Sequence, residues 1–237
     1  MKRQTKLVDC GTTVFVYDYT STRNHEKHSF EKGSNGTITD FKRLFIKNFI
    51  NENLEINLNF TLPLELNDLP NAQGIFEEFS TSLQDIFNQA SVKCLAVLQL
   101  PLESSSNQPS IRIVTDIDYF EATKYFDPNL DEEELDRLLE ERMTQLWGSQ
   151  VFVDTTNEEM EVKSLVDVLT NTLLSPLCTK QTHTIFKSNL KRPKVLRNEK
   201  ADEHIKRRNL LEFPRQSSTE IYNKVGGFII VNIYSKC

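Results

Sequence analysis

The chain has 237 residues, a formal net charge of −6 at pH 7, 38% hydrophobic residues and 26% charged residues. This composition supplies enough apolar side chains for a folded core and argues against disorder of the whole chain. No long apolar run, secretory leader or paired-cysteine spacing is present, so we expect a soluble, intracellular protein with free thiols, built as one large domain or two small ones.

Apolar residues recur with period two or with helical spacing along most of the chain. Alternation with period two predicts strands, and apolar positions three and four apart predict amphipathic helices. The clearest strand pattern is 54–66, where apolar residues occupy every second position. In chain order, these patterns predict a hairpin at 5–20, a loop at 21–37, a helix at 39–52, a strand at 54–66, a helix at 71–90, strands at 92–100 and 111–119, a helix at 127–147, a strand at 151–153, a helix at 158–174, and strands at 182–190 and 226–234.

The order of these elements indicates the fold class. Helices and strands mix without the regular strand–helix–strand repeat of a doubly wound sheet. We therefore expect an α+β fold with a mixed, mostly antiparallel sheet and several amphipathic helices packed on one face. The expected domains are an α+β core at 1–186, a basic excursion, partly helical or disordered, at 187–220, and a C-terminal strand at 221–237 that returns to the core.

Catalytic and metal-binding motifs are weak. Glycine-rich phosphate loops are absent, and His25 and His28 stand one residue too close to share a helical face as zinc-protease ligands do. Asp116 and Asp118 form an Asp-x-Asp pair on one face of a predicted strand, where two carboxylates can hold Mg²⁺. We favour the simpler interpretation that both lie on a solvated strand face. We expect no enzymatic activity, no cofactor and no metal site, and an enzyme using this pair is the third hypothesis.

Residues 187–208 reverse the charge of the rest of the chain. The segment has nine Lys or Arg against three acids, or +6, so the other 215 residues carry −12. A polycationic segment on an acidic protein indicates contact with an anionic partner or with a receptor that reads basic clusters. The candidate contact residues are Lys187, Lys191, Arg192, Lys194, Arg197, Lys206, Arg207 and Arg208.

This basic segment has three interpretations. The sequence KRPK at 191–194 resembles the single-cluster nuclear localisation signal that import receptors read, and the cluster at 206–208 extends it toward the two-cluster form. The second interpretation is contact with nucleic-acid phosphates, and the third is a solvated surface. A helix over 198–211 would pair acids with bases four residues later and so neutralise part of the second cluster.

The expected function is a non-enzymatic subunit or adaptor of an intracellular, nuclear multiprotein complex. The alternative is a DNA- or RNA-binding protein that contacts the phosphate backbone through 187–208. The expected location is the nucleus, with the cytoplasm as the alternative. The expected partners are other protein subunits, with nucleic acid and an import receptor as further candidates and no membrane.

Overall fold

A computed structural model describes most of the chain as two compact units. The first unit combines Met1–Glu52 with Lys191–Cys237, and the second comprises Asn53–Leu190. This division differs from the expected 1–186 core with a basic excursion, because segments from both ends of the chain pair in one sheet. The described residues are 2–21, 34–50, 56–101, 108–155, 158–174, 184–210, 215–218 and 228–235.

Ten strands and six α-helices make up the described part of the chain. A 3-10 helix at Leu66–Asn71 precedes the second α-helix. In chain order the elements are β1 (Lys2–Asp9), β2 (Thr13–Ser21), α1 (Ser34–Phe49), β3 (Asn57–Pro63), α2 (Ala72–Ile86), β4 (Cys94–Gln99), β5 (Ser110–Asp118), α3 (Tyr119–Thr123), α4 (Glu132–Trp147), β6 (Phe152–Thr155), α5 (Glu158–Leu174), β7 (Ile185–Ser188), β8 (Lys194–Arg197), α6 (Glu199–Arg207), β9 (Arg215–Ser218) and β10 (Phe228–Ser235).

The first unit has a five-stranded sheet in the order β8-β1-β2-β10-β9. The hairpin predicted at 5–20 is its β1–β2 pair. Gly11 has a φ of 96° in the turn, a conformation that glycine adopts without strain. The apolar C-terminal strand predicted at 226–234 is β10, which pairs with β2 in the middle of the sheet.

Helices cover both faces of this sheet. Leu7 and Val16 oppose each other on one face, and Lys6 and Tyr17 oppose each other on the other. Leu7 and Val16 form a hydrophobic cluster with residues of α6. On the second face lies α1, because the guanidinium of Arg43 stacks over the ring of Tyr17.

The second unit has a five-stranded sheet in the order β6-β3-β5-β4-β7, which also has helices on both faces. Phe60 and Ile113 oppose each other on one face, and Phe60 makes an edge-on ring contact with Phe79 of α2. On the other face, Arg112 bonds to Glu161 of α5. The apolar strand β4 is buried along nearly its whole length, as expected for a strand covered on both sides.

The α+β class is confirmed, and every strand pair among the described residues is antiparallel. Instead of one sheet with helices on one face, the chain forms two sheets, each covered on both faces. Strands β8 and β9 were not predicted, because their KVLR and RQSS sequences lack the pattern of a half-buried strand.

Some expectations lie outside the described residues. These include His25, His28 and most of the loop at 21–37. Within the described ranges, none of the helices has the length and apolar character needed to cross a membrane.

Candidate functional site

The structure distributes the eight predicted cations over both units. Lys187 lies on β7 of the second unit, and the other seven belong to the first. All eight side chains are exposed. The basic segment is therefore divided between two compact units, and most of its candidate cations belong to the first.

Arg208, in the second basic cluster at 206–208, has a structural role. Arg208 donates a hydrogen bond to the carbonyl oxygen of Gly11 at 3.0 Å, and its Nη1 lies 3.4 Å from Oδ1 of Asp9. The expected pair of Glu203 and Arg207 is present at 3.9 Å, but both side chains are largely exposed. Such exposed pairs contribute little to stability. Arg208 therefore holds the turn of the β1–β2 hairpin, whereas Arg207 remains accessible.

The backbone of the first basic cluster, residues 191–197, is hydrogen-bonded to other parts of the first unit. The backbone N–H of Lys191 donates to Oδ1 of Asn48 on α1 at 2.8 Å, and Nδ2 of Asn48 donates to the carbonyl oxygen of Lys191 at 3.0 Å. Three residues later the chain enters β8, which pairs with β1. The side chains of Lys191, Arg192, Lys194 and Arg197 are thus exposed on a backbone with a defined conformation.

Strand β8 places Arg197, one of the predicted cations, close to a basic residue that is distant in sequence. Arg197 lies directly opposite Lys6 of β1, and Lys6 lies directly opposite Tyr17 of β2. Arg43 of α1 donates a hydrogen bond to the Tyr17 hydroxyl. The guanidinium carbon of Arg43 and Nζ of Lys6 lie 5.2 Å and 5.7 Å from the centroid of the Tyr17 ring. We call Lys6, Arg43 and Arg197 the cation cluster.

The cation cluster carries an excess of positive charge, and two of its members, Lys6 and Arg43, are partly buried. Oδ1 of Asp40 lies 3.3 Å from Nη1 of Arg43, but the Asp40 side chain is 74% exposed and that of Arg43 only 14%. Burial, followed by the charges of Arg43 and Arg197, lowers the pKa of Lys6 below its usual value, and Asp40 acts in the opposite direction. Neighbouring cations thus disfavour the charged form of Lys6.

The donors of the cation cluster are incompletely satisfied. Nε of Arg43 is buried and has no hydrogen-bond partner among the described residues. A buried donor on a charged group that lacks an acceptor carries a free-energy penalty. A guanidinium and an ammonium group side by side are the groups that proteins use to bind phosphate oxygens. Chemically, the arrangement is suited to anion binding.

The carboxylates considered for metal binding have structural partners. Asp116 accepts hydrogen bonds from the backbone N–H and Nζ of Lys93, both at 2.7 Å. Asp118 caps α3 by accepting from the backbone N–H of Glu121 at 2.8 Å. Among the residues whose positions are described, His, Cys, Asp and Glu form no group of three or more that could hold a metal ion. Both carboxylates are thus engaged in positioning neighbouring backbone.

Two of the four thiols lie in the described ranges. Cys10 and Cys94 are free and buried, as expected. Burial raises their pKa to about 11 and about 12, which keeps them protonated at neutral pH. Cys178 and Cys237 lie outside the described residues.

Arg197 is among the residues predicted from the sequence, whereas Lys6 and Arg43 were not predicted. Lys6 shares β1 with Lys2 and Arg3, and Arg43 shares α1 with Lys42 and Lys47, but neither element has as many bases as 187–208. A partial signal exists for Lys6, because a tight turn at Gly11 sets the hairpin register and places Lys6 opposite Tyr17.

Comparisons of the chain with protein-family models, with curated proteins and with solved structures find no match.

Proposed function

We propose that the protein is a non-enzymatic subunit of an intracellular, nuclear multiprotein assembly. The observation that carries this proposal is the display of two large aromatic side chains on the second unit. Phe120 on α3 and Tyr125 in the turn that follows are 64% and 76% exposed. Aromatic residues are enriched in the parts of protein surfaces that bind partners. This surface, Phe120 and Tyr125, is the proposed contact with another subunit.

The engagement of Asp116 and Asp118 supports the non-enzymatic part of the proposal. Asp116 is paired with Lys93, and Asp118 is used as a helix cap. A carboxylate that binds a catalytic metal ion must direct its oxygens to the ion. In both residues at least one oxygen is directed to the protein instead.

Purification of the tagged full-length chain from its native cell tests the proposed subunit role. We expect a partner protein at stoichiometric yield, and we expect Phe120→Ser with Tyr125→Ser to remove it while the thermal unfolding midpoint stays the same. Leu66→Ser is the matched control, because Leu66 is 60% exposed in the same unit. A wild-type chain that purifies as a monomer without a stable partner would overturn the proposal.

The second candidate function is nucleic-acid binding through the phosphate backbone. The observation that favours it is the fixed presentation of the first basic cluster. Asn48 holds the backbone of Lys191, and the chain from Lys194 to Arg197 is a strand. Cations on a fixed backbone lose less conformational freedom when they bind a phosphate chain. A receptor that reads the KRPK sequence as an extended peptide must first break these contacts.

Nuclear location is tested separately from binding. A fluorescent fusion of the wild-type chain is expected in the nucleus. Exchange of Lys191 and Arg192 for Ala moves the fusion to the cytoplasm if these residues form the import signal. If both fusions are cytoplasmic, the nuclear part of the proposal is wrong.

A further inference from the structure

We propose that the cation cluster, Lys6, Arg43 and Arg197, is a phosphate-binding site that contacts the backbone of a nucleic acid. This inference rests on the second candidate function and assigns its contact to three residues, two of which lie outside 187–208. It is carried by the cross-strand geometry of Lys6 and Arg197 and by the fixed position of Arg43.

In the protein without a ligand, Lys6 and Arg197 form a repulsive pair of like charges. They are directly opposed residues of neighbouring antiparallel strands. Like charges in this position destabilise a sheet, because the side chains leave the same face close together. A phosphate between them would convert this repulsion into two charge-assisted hydrogen bonds. Burial contributes most to the lowered pKa of Lys6, and the charges of Arg43 and Arg197 act in the same direction.

Arg43 is held in place before any ligand binds. Its guanidinium carbon lies 5.2 Å from the ring centroid of Tyr17 and 5.8 Å from that of Phe15. The hydrogen bond to the Tyr17 hydroxyl further limits its rotation. A guanidinium fixed in this way loses little entropy when it binds a phosphate, which competes with the exposed Asp40 carboxylate for its Nη1. The aromatic rings thus serve to position the cation.

The cations next to the cluster favour a polyanion over a ligand with a single phosphate. Lys191 and Arg192 are exposed, and Asn48 holds the Lys191 backbone to α1, the helix that carries Arg43. A series of exposed cations along one segment of the chain matches the repeated phosphates of a nucleic acid. Because Tyr17 is engaged by Arg43, we expect contact with the backbone and no preference for base sequence.

Fluorescence anisotropy with the full-length chain tests the site. The probes are a labelled DNA duplex and a labelled single-stranded RNA, both of mixed sequence, over a range of salt concentrations. Lys6→Gln with Arg197→Gln is expected to weaken binding at least about tenfold and to reduce the slope of log K against log salt by about two. Lys163→Gln with Arg142→Gln, both exposed, in the second unit and outside 187–208, is the matched control, with a change below about threefold.

A thermal measurement separates a binding role from a structural one. Without nucleic acid and at low salt, Lys6→Gln with Arg197→Gln is expected to raise the unfolding midpoint, because it removes the repulsion of the opposed cations. A lowered midpoint would indicate that the two cations stabilise the fold and would overturn the inference.

The binding outcomes distinguish this inference from the function on which it rests. If the cluster variant binds like the wild type while Lys191→Gln with Arg192→Gln weakens binding, the inference is overturned and the second candidate function stands. If the wild type binds neither nucleic acid, both are overturned. Tighter binding of a labelled phosphopeptide than of either nucleic acid would overturn the assignment of the ligand.

Discussion

The carboxylate of Asp9, at the end of β1, lies 3.0 Å from Nε2 of His204 on α6, although 195 positions separate the two residues. Asp9 also accepts a hydrogen bond from the backbone N–H of Gly11 at 2.8 Å and lies 3.4 Å from Arg208. Its side chain is 10% exposed, so these contacts are largely shielded from water. Asp9 therefore joins α6, a part of the basic segment, to the hairpin at the other end of the chain.

Asp9→Ala is expected to lower the free energy of unfolding by about 2–4 kcal/mol, because it leaves partly buried donors without their acceptor. Urea denaturation followed by circular dichroism measures the change. Asp202→Ala is the control, since Asp202 is exposed on α6, and its effect should stay within about 1 kcal/mol. Equal effects of the two substitutions would show that the Asp9 contacts do not hold α6.

The ion pair of Arg112 and Glu161 joins β5 to α5 in the second unit. Nη2 of Arg112 lies 2.7 and 2.8 Å from the two carboxylate oxygens, and the side chains are 20% and 11% exposed. Arg112→Ala is expected to lower the free energy of unfolding by about 3 kcal/mol, because it leaves Glu161 buried without a counter-charge. Urea denaturation measures this cost.

Arg137→Ala provides the matched control for the Arg112 pair. Arg137 and Glu141 form a pair of similar length at 2.7 Å, but their side chains are 62% and 60% exposed. The expected loss is at most about 0.5 kcal/mol, because water already solvates both charges. If the two substitutions lower the free energy of unfolding equally, burial does not account for the stability that the Arg112–Glu161 pair contributes.

The second unit is expected to gain stability at neutral pH when Asp136 is replaced by Asn. Burial raises the pKa of Asp136, the charges of Glu132 and Asp154 act in the same direction, and the hydroxyl of Tyr119 acts against them. Because the folded pKa lies above the unfolded value of about 3.9, ionisation of Asp136 costs stability as pH rises through the interval between them. Above the folded pKa the cost is complete.

Thermal unfolding of Asp136→Asn at two pH values measures this effect. At pH 7 we expect a higher midpoint than for the wild type, and at pH 3 an unchanged midpoint. Glu78→Gln on α2 is the control, because Glu78 is exposed. A lower midpoint for Asp136→Asn at pH 7 would show that the ionised carboxylate contributes favourably to the fold.

Asp118→Ala is expected to lower the free energy of unfolding by about 1 kcal/mol, through loss of the bond that caps α3. Asp118→Asn keeps a capping oxygen, so its cost should be smaller. Both are measured by urea denaturation. Partner binding is expected to survive Asp118→Asn, because the substitution keeps the capping oxygen at the start of α3, the helix that carries Phe120.

Elements with a strong local pattern were predicted well. The alternation at 54–66 was sufficient to predict the strand β3, and the pattern of 5–20 was sufficient to predict the β1–β2 hairpin. The boundaries of the acidic helix show the limit of such patterns. It was predicted from residue 127 but begins only after Asp131, whose carboxylate accepts from the backbone N–H of Glu134, and Gly148 ends it with a φ of 80°. Several acids in succession can each cap a helix, so local composition does not select one.

The candidate site was predicted only in part. The charge of 187–208 identified Arg197, but nothing local indicated that the strand containing it would pair with β1. A run of KVLR is too short and too polar to indicate a strand, because an edge strand receives its stability from the neighbour with which it pairs. Lys6 and Arg43 became candidates only when that pairing placed Arg197 opposite Lys6.

The sequence by itself determined the α+β class, the period of most elements and the reversal of charge in 187–208. These properties depend on residue type and spacing within a single element. Only the tertiary structure decided that the two ends of the chain share a sheet, that Lys6 and Arg43 lie against Tyr17, and that Arg197 lies opposite Lys6. The physical reason is that strand register depends on burial and hydrogen bonding between segments distant in the chain, which local patterns do not specify.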